Sequence, residues 1–99
     1  MRSDLYNKDR GFIMNDETLK LLAYINISSY RTRTLKSLKL ENKTPTQIAK
    51  DSDIRVAHIS KVLRELKENG LAECINEQDR KNRIYRLTPR GQDVVKFLD

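Results

Sequence analysis

Residues 44–69, TPTQIAKDSDIRVAHISKVLRELKEN, run straight into GLAECI at 70–75, and this stretch decides the fold. The spacing predicts two short helices joined by a tight polar turn. The first opens at Thr44 or Thr46, with Pro45 suited to a first helical turn and Ile48 and Ala49 on one side. Asp51-Ser52-Asp53 are three residues that favour turns and caps over helix interiors, and Ile54 pins that turn to the core. In the second helix Ile59, Val62, Leu63 and Leu66 recur at three- and four-residue spacing and share a face. Arg55, Ala57, His58, Ser60, Lys61, Arg64 and Lys67 fall mainly on the others. Asn69-Gly70 ends the helix with residues that tolerate the left-handed conformation. An amphipathic pair with a short turn is the pattern of a helix-turn-helix, whose second helix enters a DNA major groove. The plain alternative, a solvated charged face, stays open for the pair taken alone.

The next stretch of chain bears on that choice. Residues 71–75 and 83–88 read as two short strands, with Tyr85 and Leu87 alternating against Ile84 and Arg86. The loop between them, 76–82, has no apolar residue. From Arg80 to Arg90 the chain carries Arg80, Lys81, Arg83, Arg86 and Arg90 and no acid. A hairpin held at its base by Leu71, Ile75, Ile84 and Leu87, with arginines at its tip, suits phosphates or a narrow minor groove. The guanidinium fork donates to two phosphate oxygens at once, and a narrow groove concentrates negative potential.

Upstream, Ser28 or Ser29 caps a helix running to about Leu40, with Tyr30, Leu35 and Leu38 inward and Arg31, Arg33, Lys36 and Lys39 outward. Residues 15–27, NDETLKLLAYINI, admit two readings. Leu19, Leu21, Ala23, Ile25 and Ile27 alternate as in a strand, yet Asn15 or Asp16 caps a helix with acids in its first turn. Strong helix formers favour helix. Such a helix is apolar on more than one face, so Leu19, Leu21, Leu22, Tyr24 and Ile25 are candidates for contact with a second copy of the chain. Thr88-Pro89 opens a last helix with Val94, Val95 and Leu98 on its apolar face. Residues 1–14 read as a largely polar tail, a candidate for partial disorder, and 15–99 as a single domain.

Ninety-nine residues suit a modest core. The formal charge of +6 is placed unevenly. Residues 1–30 balance Arg2, Lys8, Arg10 and Lys20 against Asp4, Asp9, Asp16 and Glu17, so the surplus lies downstream with the helix pair and hairpin. A cationic field there attracts a polyanion, with affinity that falls steeply as salt rises. No apolar run approaches a signal peptide's core or a membrane span, and the single cysteine, Cys74, fits a reducing cytoplasm. Sequons at Asn26 and Asn42 carry no meaning without secretion.

The chain from 28 to about 95 resembles the winged helix-turn-helix transcription regulators of the MarR/ArsR type, particularly short archaeal versions. The resemblance rests on SSYRTRTLKSL, TPTQIAKDSDI, RVAHISKVLRELKENGLAE and RKNRIYRLTPRGQDVV. It implies an α+β, mainly α, fold: a three-helix core, a two-stranded β-hairpin wing, and flanking N- and C-terminal helices. It implies that the early turns of the second helix read the major groove through Arg55, Val56, Ala57, His58, Ser60 and Lys61, with Arg64 reaching phosphate or a base edge. Thr44 and Thr46 match positions that touch the DNA backbone, and Arg80, Lys81 and Arg83 match the wing tip. The implied function is a dimeric repressor on pseudo-palindromic double-stranded DNA.

The sequence also departs from that pattern. Metal-sensing members carry a cysteine-rich motif, or acid and histidine ligands in the last helix; here Cys74 and His58 stand alone, so no metal is expected. The flanks are short beside the long helices that frame the MarR ligand cleft, so no small-molecule cofactor is expected either. No glycine-rich phosphate loop, paired-histidine zinc motif or nucleophile elbow is present, which argues against an enzyme. The competing function is a winged-helix adaptor for protein or RNA, or a non-specific chromatin-like DNA binder.

Overall fold

A computed structural model describes residues 15–98; the 1–14 tail lies outside the described residues. Five helices and one hairpin follow in order: α1 (Asp16–Asn26), α2 (Ser29–Ser37), α3 (Pro45–Ser52), α4 (Val56–Glu68), β1 (Ala72–Cys74), β2 (Tyr85–Leu87) and α5 (Pro89–Val95). None of these helices is long and apolar enough to cross a membrane.

Caps decide most helix starts. Asn15 Oδ1 accepts from Thr18 N at 2.8 Å, and Ser28 Oγ accepts from Arg31 N at 3.3 Å. These bonds satisfy backbone donors that the first turn leaves without partners. The Asn15 cap resolves residues 15–27 as helix, although their alternation also suited a strand. Thr44 starts α3 with a capping box: its hydroxyl accepts from Gln47 N at 3.2 Å, while Gln47 Oε1 accepts from Thr44 N at 2.9 Å. Pro45 occupies the first turn.

Ile25, Leu35, Ile48, Ile59, Leu63 and Leu66 are fully or almost fully sealed where α1 to α4 meet. Burial of such a side chain contributes about 2 kcal/mol. α4 ends in a Schellman motif, with Leu71 N donating to Leu66 O at 2.9 Å and Gly70 N to Lys67 O at 3.0 Å. Gly70 alone takes the left-handed conformation there (φ 71°), whereas Asn69, at φ −94°, stays outside it.

The hairpin is antiparallel, with Ala72 opposite Leu87, Glu73 opposite Arg86 and Cys74 opposite Tyr85. Its strands are shorter than the sequence pattern suggested, although Ile75 N still donates to Ile84 O at 2.9 Å. Leu71 and Leu87 are buried at its base and Ile84 is half-buried, but Ile75 is 42% exposed and does not serve as an anchor. Lys43 bridges to β2 through two backbone bonds with Tyr85. Its ammonium donates to Ser37 O at 2.6 Å, to Ser37 Oγ and to Asp51. One residue therefore ties the hairpin to α2 and α3.

Three helical features also differ from the sequence pattern. The α3–α4 turn begins later than Asp51, because Asp51 and Ser52 complete the last turn of α3 and only Asp53 leaves it, at φ 57°. α2 stops at Ser37, three residues before Leu40, which is almost fully exposed. Tyr30 and Arg31 exchange roles: Tyr30 lies on the surface and Arg31 turns inward. Arg31 Nε donates to Glu65 at 3.1 Å, Nη1 donates to Tyr24 O at 2.9 Å, and the guanidinium lies 3.8 Å from the Tyr24 ring centroid. Its long stem packs apolar surface while three partners on α1 and α4 hold the charge.

Candidate nucleic-acid interface

α4 is the centre of the site. Ile59, Val62, Leu63 and Leu66 are buried, while Val56, Ala57, His58, Ser60, Lys61 and Arg64 are exposed. The turn before it is rigid: Ile54 N donates to Ala49 O at 3.1 Å and the Ile54 side chain is buried. Its N-cap, Arg55, forms no side-chain capping bond, unlike Asn15, Ser28, Thr44 and Thr88 at the other helix starts. The positive end of the helix dipole is therefore left without a side-chain acceptor from its own N-cap.

Two clefts flank this helix start. One is lined by Thr44 and Thr46 from α3, Val56 and Ser60 from α4, and Arg80 and Arg83 from the wing. Three separate stretches of sequence thus meet on one concave surface. The Thr44 hydroxyl accepts the α3 capping bond and still has its own proton to donate. The other cleft is lined by Arg55 and His58 together with Tyr30 and Lys50. The Tyr30 and His58 rings lie 5.2 Å apart, and the Arg33 guanidinium sits 5.4 Å from the Tyr30 ring centroid while donating to Ser52 O at 2.9 Å. Sequence reasoning missed Tyr30 and Lys50 as members of this surface. Lys50 comes two residues after buried Ile48, a spacing that turns it to the opposite side of α3.

The wing loop is a folded object. Asn76 Oδ1 accepts from Ile84 N at 2.7 Å, and its amide nitrogen donates to Asp79 Oδ2 and Asn82 O. Arg83 Nε donates to Asp79 O at 2.7 Å and Nη2 to Glu77 O at 3.2 Å. Arg83 therefore fastens the loop from within, while Arg80 and Lys81 stand exposed at its tip. Lys67 on α4 pairs with Glu77 at 2.8 Å, which keeps the Glu77 carboxyl below and the Lys67 ammonium above their ordinary pKa values. Hydrogen bonds from Lys43 and Ser37 likewise hold the Asp51 carboxyl below its ordinary value.

Ion pairing sorts the cations. Arg86 pairs with Glu73 at 2.8 Å, Arg90 with Glu17 and Lys67 with Glu77. Lys50, Arg55, Lys61, Arg64, Arg80 and Lys81 are exposed and have no ion pair among the described residues.

The proposed dimer residues sit differently. Ile25 is fully buried in the chain's own core and has no surface to offer a partner. Leu21, Leu22 and Tyr24 are half-buried against that core, and Leu19 is also half-buried. Leu and Tyr at these positions cover the α1–α2 contact first, which leaves only their outer edges. Cys74 is half-buried, its thiol 3.5 Å from Asn76 Oδ1. Among the described residues no group of three or more His, Cys, Asp or Glu is placed to hold a metal.

Comparison with known proteins gives a consistent picture. The model of the family described as "Sugar-specific transcriptional regulator TrmB" matches residues 22–90. The uncharacterised HTH-type transcriptional regulator YdgG of Bacillus subtilis is 31% identical over 78 residues, covering 75% of this chain and 51% of its own length. The chain thus spans about half the length of this curated relative. Among solved structures, the MarR family transcription regulator SP03579 superposes with a TM-score of 0.67 at 22% identity, covering 82% of this chain and 55% of the other. The homodimeric winged helix-turn-helix DNA-binding domain of Mb0332 from Mycobacterium bovis, a possible ArsR-family regulator, superposes with a TM-score of 0.62 at 21% identity, covering 83% and 72%. At these identities the two structures establish the winged-helix fold, with α2 to α4 as its core and the β1–β2 hairpin as its wing.

Proposed function

Since the chain belongs to the TrmB family of transcriptional regulators, which are not enzymes, we propose that residues 15–99 act as one unit that binds double-stranded DNA in a sequence-specific way. α4 lies in the major groove, with Arg55, Ala57, His58, Ser60 and Lys61 toward base edges and Arg64 toward a base edge or phosphate. Thr44 and Thr46 approach the DNA backbone. Arg80 and Lys81 reach phosphates or the minor groove, and Arg83 shapes the loop that carries them. Lys50 adds a phosphate contact beside Arg55.

One observation carries this reading: six exposed cations without a carboxylate partner among the described residues (Lys50, Arg55, Lys61, Arg64, Arg80 and Lys81) lie on α3, along α4 and its N-cap, and at the wing tip, whereas Lys67, Arg86 and Arg90 are each neutralised by a neighbour. Charge left without a partner is available to a polyanion. The protein works as a cytoplasmic dimer, with the outer edges of Leu19, Leu21, Leu22 and Tyr24, together with exposed Ile27, meeting a second copy. Two copies place their α4 helices in successive major grooves of a pseudo-palindrome, about 34 Å apart. Occupying a promoter in this way represses it.

Selection from randomised duplex DNA at roughly physiological salt tests the reading, with Arg55→Ala run beside the wild type. A palindromic consensus that the variant weakens or loses supports it. Salt-sensitive binding without any consensus points instead to a non-specific, chromatin-like role, and absence of duplex binding to an adaptor for protein or RNA.

A further inference from the structure

Val56 is the first residue of α4, and it is the largest exposed apolar side chain of that helix, beside exposed Ala57, His58 and Ser60. It is 43% exposed and shares its cleft with Thr46, Ser60, Arg80 and Arg83. Ser60 lies one turn further along the same face. A branched side chain here has no donor or acceptor and leaves apolar surface in water, at a position where any polar residue would be better solvated.

We propose that Val56 reads the 5-methyl group of a thymine in the major groove, which makes it a specificity-determining residue; this rests on α4 entering that groove. In the major groove, guanine, adenine and cytosine present donors and acceptors, and thymine alone adds a methyl group. A side chain with no hydrogen-bonding group discriminates among bases only through that methyl. The first turn of a recognition helix is where side chains meet base edges. The β-branch holds χ1 in few rotamers, so two methyl groups are presented in a fixed direction with little entropy to lose. Ser60, one turn on, supplies the polar contact to a neighbouring base.

The test uses the full chain and the duplex selected by it. Each thymine of the consensus is replaced singly by deoxyuridine, which removes the methyl group and keeps every hydrogen-bonding group, and binding is read by fluorescence anisotropy. One thymine in each half-site is expected to lose about fourfold in affinity on this replacement, the value of one buried methyl group. With Val56→Ala that position becomes indifferent to the methyl group, while thymines elsewhere behave as with wild type. Gln92→Ala, at an exposed position on α5 outside the proposed interface, serves as the control and keeps the sensitivity. The exposure of Val56 leaves folding intact in the variant, which an unchanged melting curve verifies. If the selected duplex binds but no thymine responds, or if the response survives Val56→Ala, the assignment to Val56 is overturned and DNA recognition stands. If no duplex is enriched at all, both fall together.

Discussion

Replacing Arg80 and Lys81 with alanine removes two cations that have no ion pair among the described residues, while replacing Arg86 and Arg90 removes two that Glu73 and Glu17 hold. Both double variants lower the net charge equally, so a difference between them reflects placement alone. Each phosphate neutralised by a side chain adds about −0.9 to the slope of log affinity against log salt. The six exposed cations around α4 and the wing tip therefore set a slope of about −5 per bound chain, or about a thousandfold loss between 50 and 200 mM salt. Arg80→Ala with Lys81→Ala is expected to flatten the slope by about 1.8, to about −3.6. Arg86→Ala with Arg90→Ala is expected to leave it unchanged, since those charges are already compensated within the protein. Fluorescence anisotropy on one labelled duplex at five salt concentrations measures both slopes. Equal flattening by the two pairs would show that binding follows net charge and that ion pairing does not define the interface.

Further predictions concern the scaffold. Thr34 is fully buried in α2 and its hydroxyl has no hydrogen-bond partner among the described residues, so Thr34→Val is expected to raise stability by about 1 kcal/mol, read as a higher Tm. A Cβ added at Gly91 would collide with the Leu71 carbonyl oxygen, in the link between α4 and β1. Gly91→Ala should cost at least about 2 kcal/mol in a denaturant titration, since backbone on both sides must shift. Gly70→Ala has open space around it but a φ of +71°, so its cost should stay near about 1 kcal/mol. The Asp51 and Glu77 carboxyls both lie below their ordinary values, Asp51 chiefly through its bond from Lys43 and Glu77 through its bond from Lys67. Their contribution to stability is complete above the ordinary carboxylate value and is lost as pH falls through the lowered values, between about pH 5 and pH 2. Denaturant titrations across that range should show a shallower loss for Asp51→Asn than for wild type.

The elements that sequence made legible are those governed by local chemistry. Thr44, Pro45 and Gln47 announce the start of α3 through a capping box, and four aliphatic residues at helical spacing assign the buried face of α4. Thr88 and Pro89 do the same for α5. The 15–27 segment satisfied two periods at once, and the Asn15 cap separated them. Arg31 was misplaced because periodicity ranks residues by polarity, whereas its burial depends on Glu65 and the Tyr24 carbonyl arriving from distant elements. Tyr30 followed the same logic in reverse, its ring drawn to the surface beside His58 and Arg33. The role of Arg83 inside the wing loop was equally hidden, since its partners are backbone carbonyls that only the folded loop presents. Of the candidate interface, the residues of α4 were readable one by one. Their meeting with Thr44, Thr46 and the wing in one cleft required three dimensions.

Everything proposed for DNA recognition depends on the exposed early turns of α4 occupying a major groove. Dimethyl sulfate probing of the selected duplex checks this placement, because guanine N7 lies in the major groove and adenine N3 in the minor groove. Guanine N7 protection is expected in two clusters about one helical turn apart, lost with Lys61→Ala and kept with Arg80→Ala. Protection confined to adenine N3, or none on a duplex that is demonstrably bound, would be incompatible with α4 in the major groove.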